Sequence, residues 1–303
     1  MKKPSIYALI AIGIVLVFVI VIGNRNFYVF DDETTKKIEK SLLESEERKV
    51  EIEKRRLEEE LRDELERLKK PLLVLTFDDG FETDYSIVYP LLKERGIVGT
   101  SFINGGHVGN EQGKQRRMTW DQIKELKQSG WDIQGHTFSH PKLSELTEDE
   151  IRQEFILNNN AFKNNGLPEP KHTAYPYGDH DEGVKNIGKE YRKTLRRTNP
   201  SGDYPYNTWD NIDFYNVTAL LSDINNFDLD RKDRLKKYID QAIVNDGILV
   251  FYSHEFKDND VSEYETKTDY YLEVVDYAIE KGIEFVTISE MYDLVKEYQN
   301  LLQ

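Results

Sequence analysis

The stretch that decides the fold of this chain is Leu72-Leu-Val-Leu-Thr-Phe-Asp-Asp-Gly80. Its first part, from Leu72 to Phe77, is a short apolar run with the residue types of a buried β-strand. The run leads directly into two carboxylates and a glycine, which are residue types favoured in turns. The pattern therefore predicts a buried strand whose carboxyl end presents Asp78 and Asp79.

Similar apolar, β-rich segments recur through residues 71–303 and alternate with helical patterns. The predicted strands are Leu72–Phe77, Val98–Ile103, Trp131–Gln134, His172–Tyr175, Thr194–Arg197, Phe214–Thr218, Ile248–Tyr252 and Glu284–Ile288. The capping boxes Thr119-x-x-Gln122 and Thr147-x-x-Glu150 predict the first turns of two helices between them. Repeated alternation is typical of a parallel sheet with helices outside. About eight such units favour an α/β fold built as a (β/α) barrel.

Residues 1–30 have a different character. Lys2 and Lys3 precede an uncharged, mostly apolar run from Pro4 to Asn24, and about 20 such residues cross a bilayer core. The run is longer than the apolar part of a usual cleaved signal peptide, and no Ala-x-Ala pattern follows it. We therefore expect an uncleaved, single-pass membrane anchor. The positive charges before the run predict a cytoplasmic N-terminus and export of the residues that follow the run.

Residues 31–70 are dense in Glu, Lys and Arg and contain neither Gly nor Pro. This composition favours one long helix, which would span about 60 Å if fully formed. Leu43, Val50 and Leu57 recur at heptad spacing, but the second seam of the heptad is half polar. A solvated helical stalk is therefore favoured over a weak homodimer through residues 36–69.

Composition restricts the chemistry that the chain can carry. The 303 residues have a formal net charge of −15 and include no cysteine. Disulfides and thiolate metal sites are therefore excluded, and any metal must be held by His, Asp or Glu. The acidic field repels phosphate backbones, so nucleic acid is not an expected partner.

Polar clusters stand at the carboxyl ends of four predicted strands. In a parallel barrel these ends open on one face, so residues that are distant in sequence converge there. The clusters are Asp78-Asp79-Gly80, His136-Thr-Phe-Ser-His140, Pro176-Tyr177-Gly178 and His254. Their placement predicts an active site on this face.

Each cluster has a structural alternative when it is taken alone. The acidic pair is then an ordinary turn, two histidines four residues apart are often chance, and His254 is a satisfied structural histidine. Taken together, Asp79, His136 and His140 offer three protein ligands and leave one position open, which is the catalytic arrangement for zinc. Zinc is the expected metal by default, although Co²⁺, Ni²⁺ or Mn²⁺ also bind such ligands.

The order of these motifs resembles that of the polysaccharide deacetylases, carbohydrate esterase family four, which share the NodB-homology domain. The resemblance covers roughly residues 71–294 and rests on four segments. They are Thr76-Phe-Asp-Asp-Gly80, His136-Thr-Phe-Ser-His140, Tyr175-Pro-Tyr-Gly178 and the strand that ends at His254. It implies a distorted (β/α) barrel of seven or eight strands. It also implies metal-dependent removal of N-acetyl groups from an extracellular polysaccharide of the N-acetylglucosamine type.

The resemblance implies a chemical role for each matching residue. Asp78 matches the catalytic base that takes a proton from the attacking water. Asp79, His136 and His140 match the three metal ligands. His254 matches the general acid that protonates the leaving amine.

Residues on the substrate side match less completely. The backbone N–H of Tyr177 matches the oxyanion donor, and Pro176 and Gly178 match residues that shape the wall of the groove. Tyr252 stands where the family usually has a Leu that lines the acetyl pocket. The substrate is therefore less firmly predicted than the metal site.

The third motif also departs from the family pattern. It usually begins with an Arg two residues before the proline, and that position is Ala174 here. The acidic partner of the arginine belongs to a Trp-containing fourth motif, for which Trp209-Asp210 is the nearest candidate. The departure leaves Asp78 without a predicted orienting partner.

Two other functions remain open. The chain could be a related metal-dependent esterase or amidase that acts on O-acetylated xylan or a non-sugar amide. It could also be a non-catalytic, membrane-tethered protein that binds glycans. For the favoured deacetylase, the expected partners are a polysaccharide substrate and a membrane that holds the N-terminal helix.

Overall fold

A computed structural model describes residues 32–112, 115–198, 205–225, 228, 230–259, 261–262 and 265–303. Contacts divide the chain into two compact units, one ending at Arg62 and the other running from Asp63 to Gln303. The boundary falls within a long helix, α1, which spans Asp32–Leu68. The last turn of α1 belongs to the second unit, where Leu65 and Leu68 pack into the apolar core.

The first unit contains the charged part of α1. Its side chains form ion pairs along the helix surface, such as the pair in which Arg55 Nε lies 3.1 Å from Glu51 Oε1. The heptad residues Leu43, Val50 and Leu57 are exposed by 47%, 56% and 53%. The predicted homodimer through residues 36–69 would cover these side chains, and it stays a prediction.

The predicted localisation needs correction. Within residues 32–303, as far as the structure describes them, no helix combines the length and apolarity needed to cross a bilayer. Helix α1 is long enough, but it is charged along most of its length. The predicted anchor, residues 1–30, lies outside the described residues.

The strands of the second unit pair in parallel, apart from those of one hairpin. They are β1 (Leu72–Phe77), β2 (Thr100–Ile103), β3 (Glu111–Gln112), β4 (Gln115–Arg116), β5 (Asp132–Gly135), β6 (His172–Ala174), β7 (Thr194–Thr198), β8 (Val217–Leu221), β9 (Ile248–Ser253), β10 (Glu255–Lys257), β11 (Glu265–Lys267) and β12 (Glu284–Phe285). The eight predicted strands correspond to β1, β2, β5, β6, β7, β8, β9 and β12. The hairpin β3–β4 is antiparallel and was not predicted.

Helices connect the strands on the outside. They are α2 (Tyr89–Glu94), α3 (Trp120–Gln128), α4 (Glu148–Asn164), α5 (Glu182–Tyr191), α6 (Arg231–Val244), α7 (Thr268–Lys281) and α8 (Ile288–Leu301). A π-helical turn, Asp84–Val88, precedes α2, and 3-10 turns span Leu143–Glu145 and Pro176–Gly178. Both predicted capping boxes are confirmed, at the first turns of α3 and α4.

The sheet closes into a barrel. The strand order is β1-β2-β5-β6-β7-β8-β9, and β9 pairs with β1 over its whole length. Strand β12 adds an eighth parallel strand beside the start of β1, where Leu72 pairs with Glu284. The pairing is uneven, since β5 and β6 share a single register pair, Gly135 with Thr173. The expected parallel (β/α) barrel is therefore present in a distorted form.

Alternation along the strands decides which side chains reach the site. In β1, Leu72 and Val74 belong to the cluster that fills the barrel, whereas Leu73, Leu75 and Phe77 pack against the outer helices. Successive strand residues point to opposite faces. Continuing the inner row of β1 beyond Val74 leads through Thr76 to Asp78, at the mouth of the barrel.

Candidate active site

The predicted site residues lie at the mouth of the barrel. Asp78 and Asp79 follow β1, His136 follows β5, and His254 follows β9. Tyr177 lies in the 3-10 turn that follows β6, and its ring centroid is 4.6 Å from that of His140. The fold thus brings the four predicted clusters to one end of the barrel.

Asp79, His136 and His140 form a group that could hold a metal ion. Asp79 Oδ1 lies 3.6 Å from His136 Nε2 and 3.3 Å from His140 Nε2, and the donor atoms of the group lie within 4.8 Å of one another. Ligand atoms about 2.1 Å from a tetrahedral zinc ion are about 3.4 Å apart. Two imidazoles and one carboxylate at these separations fit a divalent cation with an open fourth position.

The protonation of the two histidines suits metal binding. His136 Nδ1 lies 2.7 Å from the carbonyl oxygen of Ala174, which leaves Nε2 directed at Asp79. Burial lowers the pKa of His136 well below its usual range. Burial also lowers the pKa of His140. Both rings are therefore neutral near pH 7, as metal-ligating imidazoles must be.

Asp79 has a second neighbour on its other oxygen. Arg117 Nη2 lies 3.7 Å from Asp79 Oδ2, and the guanidinium carbon is 3.7 Å from the centroid of the Phe81 ring. Burial alone would raise the pKa of Asp79, but His136, His140 and Arg117 lower it below its usual value. Arg117 was not predicted as a site residue, because nothing in its local sequence marks this contact.

Asp78 has an orienting partner that was not predicted. Arg196 Nη2 donates a hydrogen bond to Asp78 Oδ2, and both side chains are buried. Arg196 is the register partner of Ala174 across β6 and β7. The arginine that the family pattern carries at position 174 is thus replaced by an arginine on the neighbouring strand.

Tyr252 packs on this arginine. The guanidinium carbon of Arg196 lies 4.8 Å from the Tyr252 ring centroid and 5.5 Å from that of Phe102. A guanidinium over an aromatic ring at this distance is favourable. Tyr252 therefore borders both the buried ion pair and His254, whose ring centroid is 5.7 Å from its own.

His254 is held by a residue that was not predicted. Asp223 accepts hydrogen bonds from the backbone N–H of His254 at 2.8 Å and from Nδ1 at 2.6 Å. Burial would lower the pKa of His254, but the charge of Asp223 and its hydrogen bond raise the pKa to about 9. Asp223 follows closely after β8, so the strand-end rule that found the other clusters could have found it.

The candidate Trp209-Asp210 lies elsewhere. Trp209 is buried in the cluster that fills the barrel. Asp210 accepts hydrogen bonds from Lys69 at 2.9 Å and from Tyr298 at 2.6 Å. These contacts belong to the packing around the end of α1 and α8, so this segment supplies no acidic partner at the site.

A further carboxyl group, Asp84, is buried near these charges. Neither of its oxygens has a hydrogen-bond partner among the described residues. Burial raises the pKa of Asp84 well above its usual range, although the charge of Arg117 opposes this. By contrast, Asp78, Asp79 and Asp223 each face a cationic or imidazole group. Burial therefore favours the neutral form of the Asp84 carboxyl group.

The backbone of the site is strained. Among the described residues other than glycine, positive φ angles occur at Asp79, Thr137, His140, Tyr177 and Asp246. All but Asp246 belong to the segments that form the mouth of the barrel. Such conformations persist only where the surrounding structure fixes them, and they cluster at functional sites.

Comparisons with known proteins match part of this chain to polysaccharide deacetylases. The protein-family model described as Polysaccharide deacetylase matches residues 66–195. A Bacillus subtilis (strain 168) protein named "Putative polysaccharide deacetylase YxkH" is 32% identical over 117 residues, which are 38% of this chain and 40% of that protein. The poly-beta-1,6-N-acetyl-D-glucosamine N-deacetylase of Staphylococcus aureus (strain MSSA476) is 31% identical over 147 residues, 43% of this chain and 51% of that protein.

The chain spans about half, or less, of the length of these curated relatives. Among solved structures, the Streptococcus pyogenes deacetylase PplD in complex with acetate is 29% identical, with a TM-score of 0.39 over 42% of this chain and 55% of that chain. The matched region of the family model includes the Asp78-Asp79 pair, both metal-type histidines and the Pro176-Tyr177-Gly178 turn. Residues 66–195 therefore match the polysaccharide deacetylase family, which is the family that the motifs resemble.

Proposed function

We propose that residues 71–303 form a metal-dependent hydrolase that removes N-acetyl groups from an amino-sugar polysaccharide of the N-acetylglucosamine type. One observation carries the proposal. A metal-type donor set, a buried carboxylate paired with Arg196 and a histidine paired with Asp223 meet at the mouth of one barrel. Acyl transfer from an amide needs a polarised carbonyl, a base and an acid, and these groups can supply all three.

Asp79, His136 and His140 are the proposed metal ligands. A divalent cation, zinc by default for this donor set, would polarise the amide carbonyl and lower the pKa of the attacking water. The chain itself prepares the ligands by keeping both imidazoles neutral and by directing one oxygen of Asp79 towards them.

Asp78 is the proposed general base. Its Oδ2 accepts the hydrogen bond from Arg196, while its Oδ1 has no hydrogen-bond partner in the described part of the chain. Oδ1 is thus the atom that can take a proton from water. The hydrogen bond from Arg196 fixes the orientation of the carboxylate.

His254 is the proposed general acid. An amine is a poor leaving group unless it is protonated as the C–N bond breaks. Because the pKa of His254 is raised to about 9, its ring carries a proton at neutral pH. Asp223 holds the Nδ1 side of the ring, so Nε2 is the nitrogen left to give up its proton.

Tyr177 is the proposed oxyanion donor, through its backbone N–H. Its positive φ of 60° sets the direction of the peptide group in the turn between Pro176 and Gly178. A fixed donor at the developing oxyanion contributes most when it needs no rearrangement during the reaction. Tyr177 is also 63% exposed beside His140, which suits contact with a sugar ring.

The substrate class is proposed from the relatives together with the site. The Staphylococcus aureus relative is named for poly-beta-1,6-N-acetyl-D-glucosamine. Tyr252 supports a second hypothesis, because a tyrosine at a position where the family usually has a Leu would change the acetyl pocket. A related hydrolase with another acetylated substrate is therefore the alternative.

Acetate release from the full chain tests the proposal. The zinc-loaded protein is incubated with poly-beta-1,6-N-acetylglucosamine, chito-oligosaccharides, peptidoglycan and acetylated xylan, with and without a chelator. We expect acetate from an amino-sugar polymer, loss of release with chelator, and loss in Asp78→Asn. Release from xylan alone would favour the alternative, and no release from any substrate by fully loaded protein would refute both.

A further inference from the structure

The two metal-type histidines are joined by a short loop of unusual conformation. His136 directly follows β5, and His140 lies four residues later. Within this loop Thr137 has a φ of 63° and His140 a φ of 60°. Residues other than glycine hold such angles only where their surroundings fix them. The position of His140 therefore depends on whatever holds the loop.

One carboxylate holds the N–H side of the loop. Glu154 Oε2 accepts hydrogen bonds from the backbone N–H groups of Phe138 and Ser139, each at 2.8 Å. Glu154 Oε1 accepts a third from the Ser139 hydroxyl at 2.6 Å. Hydrogen bonds to an ionised acceptor are stronger than neutral ones. Glu154 is half-buried and lies in the middle of α4, so a rigid element carries it.

The other side of the loop is fixed through the same helix. Phe138 O accepts a hydrogen bond from the backbone N–H of Gly106 at 2.9 Å. The adjacent Gly105 N–H donates to Asn158 Oδ1 at 2.8 Å. Asn158 is one helical turn beyond Glu154, on the same face of α4. Glu154 thus holds the loop directly, and Asn158 holds it through the neighbouring residues Gly105 and Gly106.

We propose that Glu154 is a positioning residue for the metal site, acting through the backbone of Phe138 and Ser139 to place His140. The inference rests on the proposed metal-binding role of Asp79, His136 and His140. Without Glu154, two N–H groups lose their acceptor and the loop can leave its strained conformation. His140 Nε2 would then no longer be held 3.3 Å from Asp79 Oδ1.

Zinc affinity of the purified full chain tests this role without any substrate. Removal of groups that orient metal ligands commonly weakens metal binding about 10–100-fold. We expect Glu154→Ala to weaken zinc binding to that extent in competition with a chromophoric chelator. Glu154→Gln should retain most of the affinity, because its amide oxygen can accept both N–H groups and its NH2 can donate to Ser139 Oγ. The control is Gln153→Ala, an exposed neighbour on α4.

Glu154→Asp covers the case in which the alanine variant does not fold. It keeps the charge but withdraws the carboxylate by one methylene, so we expect a loss of about tenfold. The absorption spectrum of the cobalt-loaded aspartate variant should also change, since it reports the arrangement of the ligands. Parent-like affinity in both Glu154→Ala and Glu154→Asp would overturn the inference, as would an equal loss in Gln153→Ala.

The result also separates this inference from the proposed function. A protein whose zinc affinity depends on Glu154 but which releases no acetate would refute the deacetylase and leave the positioning role intact. A protein that deacetylates normally, while Glu154→Ala and Glu154→Asp both bind zinc as tightly as the parent, would refute the positioning role alone. Failure of the parent to bind zinc would overturn both.

Discussion

The guanidinium of Arg196 on β7 donates a hydrogen bond to Asp78 inside the barrel, next to the position where the family pattern has its arginine on β6. Ala174 occupies that position and is the direct register partner of Arg196. The small side chain leaves room in the barrel for the longer one beside it. The proposed base thus has an arginine partner, which lies on β7 instead of β6.

Arg196→Ala should destabilise the protein and abolish acetate release. Removing one partner of a buried ion pair leaves an uncompensated charge, which costs about 3–5 kcal/mol. Urea denaturation at pH 7 measures the loss of unfolding free energy. The control is Arg197→Ala, since Arg197 is the next residue of β7 and points to the opposite face of the strand.

Moving the arginine back tests the replacement directly. We expect the double variant Ala174→Arg/Arg196→Ala to recover part of the stability and activity lost in Arg196→Ala. Recovery is expected because positions 174 and 196 lie side by side. If the double variant is no better than Arg196→Ala, the two positions are not interchangeable and the cation at Asp78 depends on the geometry of β7.

The strand pattern explains why so much of the fold was predictable. Strands β1 and β9 are apolar runs that lead into polar residues, and this signal is local in sequence. Asp78, Asp79 and His254 were predicted as site residues because they follow such runs, and His136 and His140 because they follow the predicted strand Trp131–Gln134. The observed strand boundaries differ from the predicted ones where the apolar pattern is weak. The predicted strand Phe214–Thr218, for example, is observed as Val217–Leu221.

Partners that act across strands could not be predicted in this way. The contacts of Arg196 with Asp78 and of Glu154 with the His140 loop depend on strand register and helix placement. Arg117 reaches Asp79 from the segment after an antiparallel hairpin that has no clear apolar pattern. Asp223 is the exception, because it lies two residues after the end of β8, where the local sequence pattern could have identified it.

The rate of deacetylation should fall at alkaline pH as His254 loses its proton. Its raised pKa of about 9 places the alkaline limb of the pH–rate profile near that value. Asp223→Asn removes the charge and leaves one acceptor oxygen for the two N–H groups of His254, so the limb should move down by about 1–3 pH units. Thr266→Val is a milder change for comparison, because it keeps the charge of Asp223 and removes only the 2.7 Å hydrogen bond from Thr266 to Asp223.

The same pKa affects stability. The pKa of His254 is higher in the folded state than its ordinary value of 6.5, so protonation of the ring stabilises the fold. This stabilisation is fully present below pH 6.5. This contribution should be lost as the pH rises from 6.5 through about 9. Asp223→Asn should therefore lose more stability at pH 6 than at pH 10. The pairing of His254 with Asp223 would be contradicted if Asp223→Asn left the alkaline limb of the pH–rate profile unchanged and lost the same amount of unfolding free energy at both pH values.

Zinc should stabilise the folded protein. A ligand that binds only the native state at 100 times its dissociation constant adds about 2.7 kcal/mol to the free energy of unfolding. Melting temperatures with zinc and with excess chelator measure the effect. Asp79→Ala and His136→Ala should lose the response to zinc, whereas Tyr177→Ala should keep it because its side chain is not a ligand. A zinc response that survives in Asp79→Ala would place the metal elsewhere.

Gly178→Ala should impair both stability and activity, because two effects combine at this position. Gly178 has a φ of 69°, and a Cβ there would lie 2.2 Å from Thr198 Oγ1. Gly96 has the same φ of 69° with no atom within 4 Å of such a Cβ, so Gly96→Ala measures the backbone term alone, about 1–2 kcal/mol. Gly178→Ala should lose more than this and should lower the turnover number, since relief of the clash shifts the Tyr177 N–H. Adding Thr198→Ala should recover the excess loss of stability. If Gly178→Ala costs no more than Gly96→Ala and retains full turnover, the turn tolerates movement and Tyr177 is not a fixed oxyanion donor.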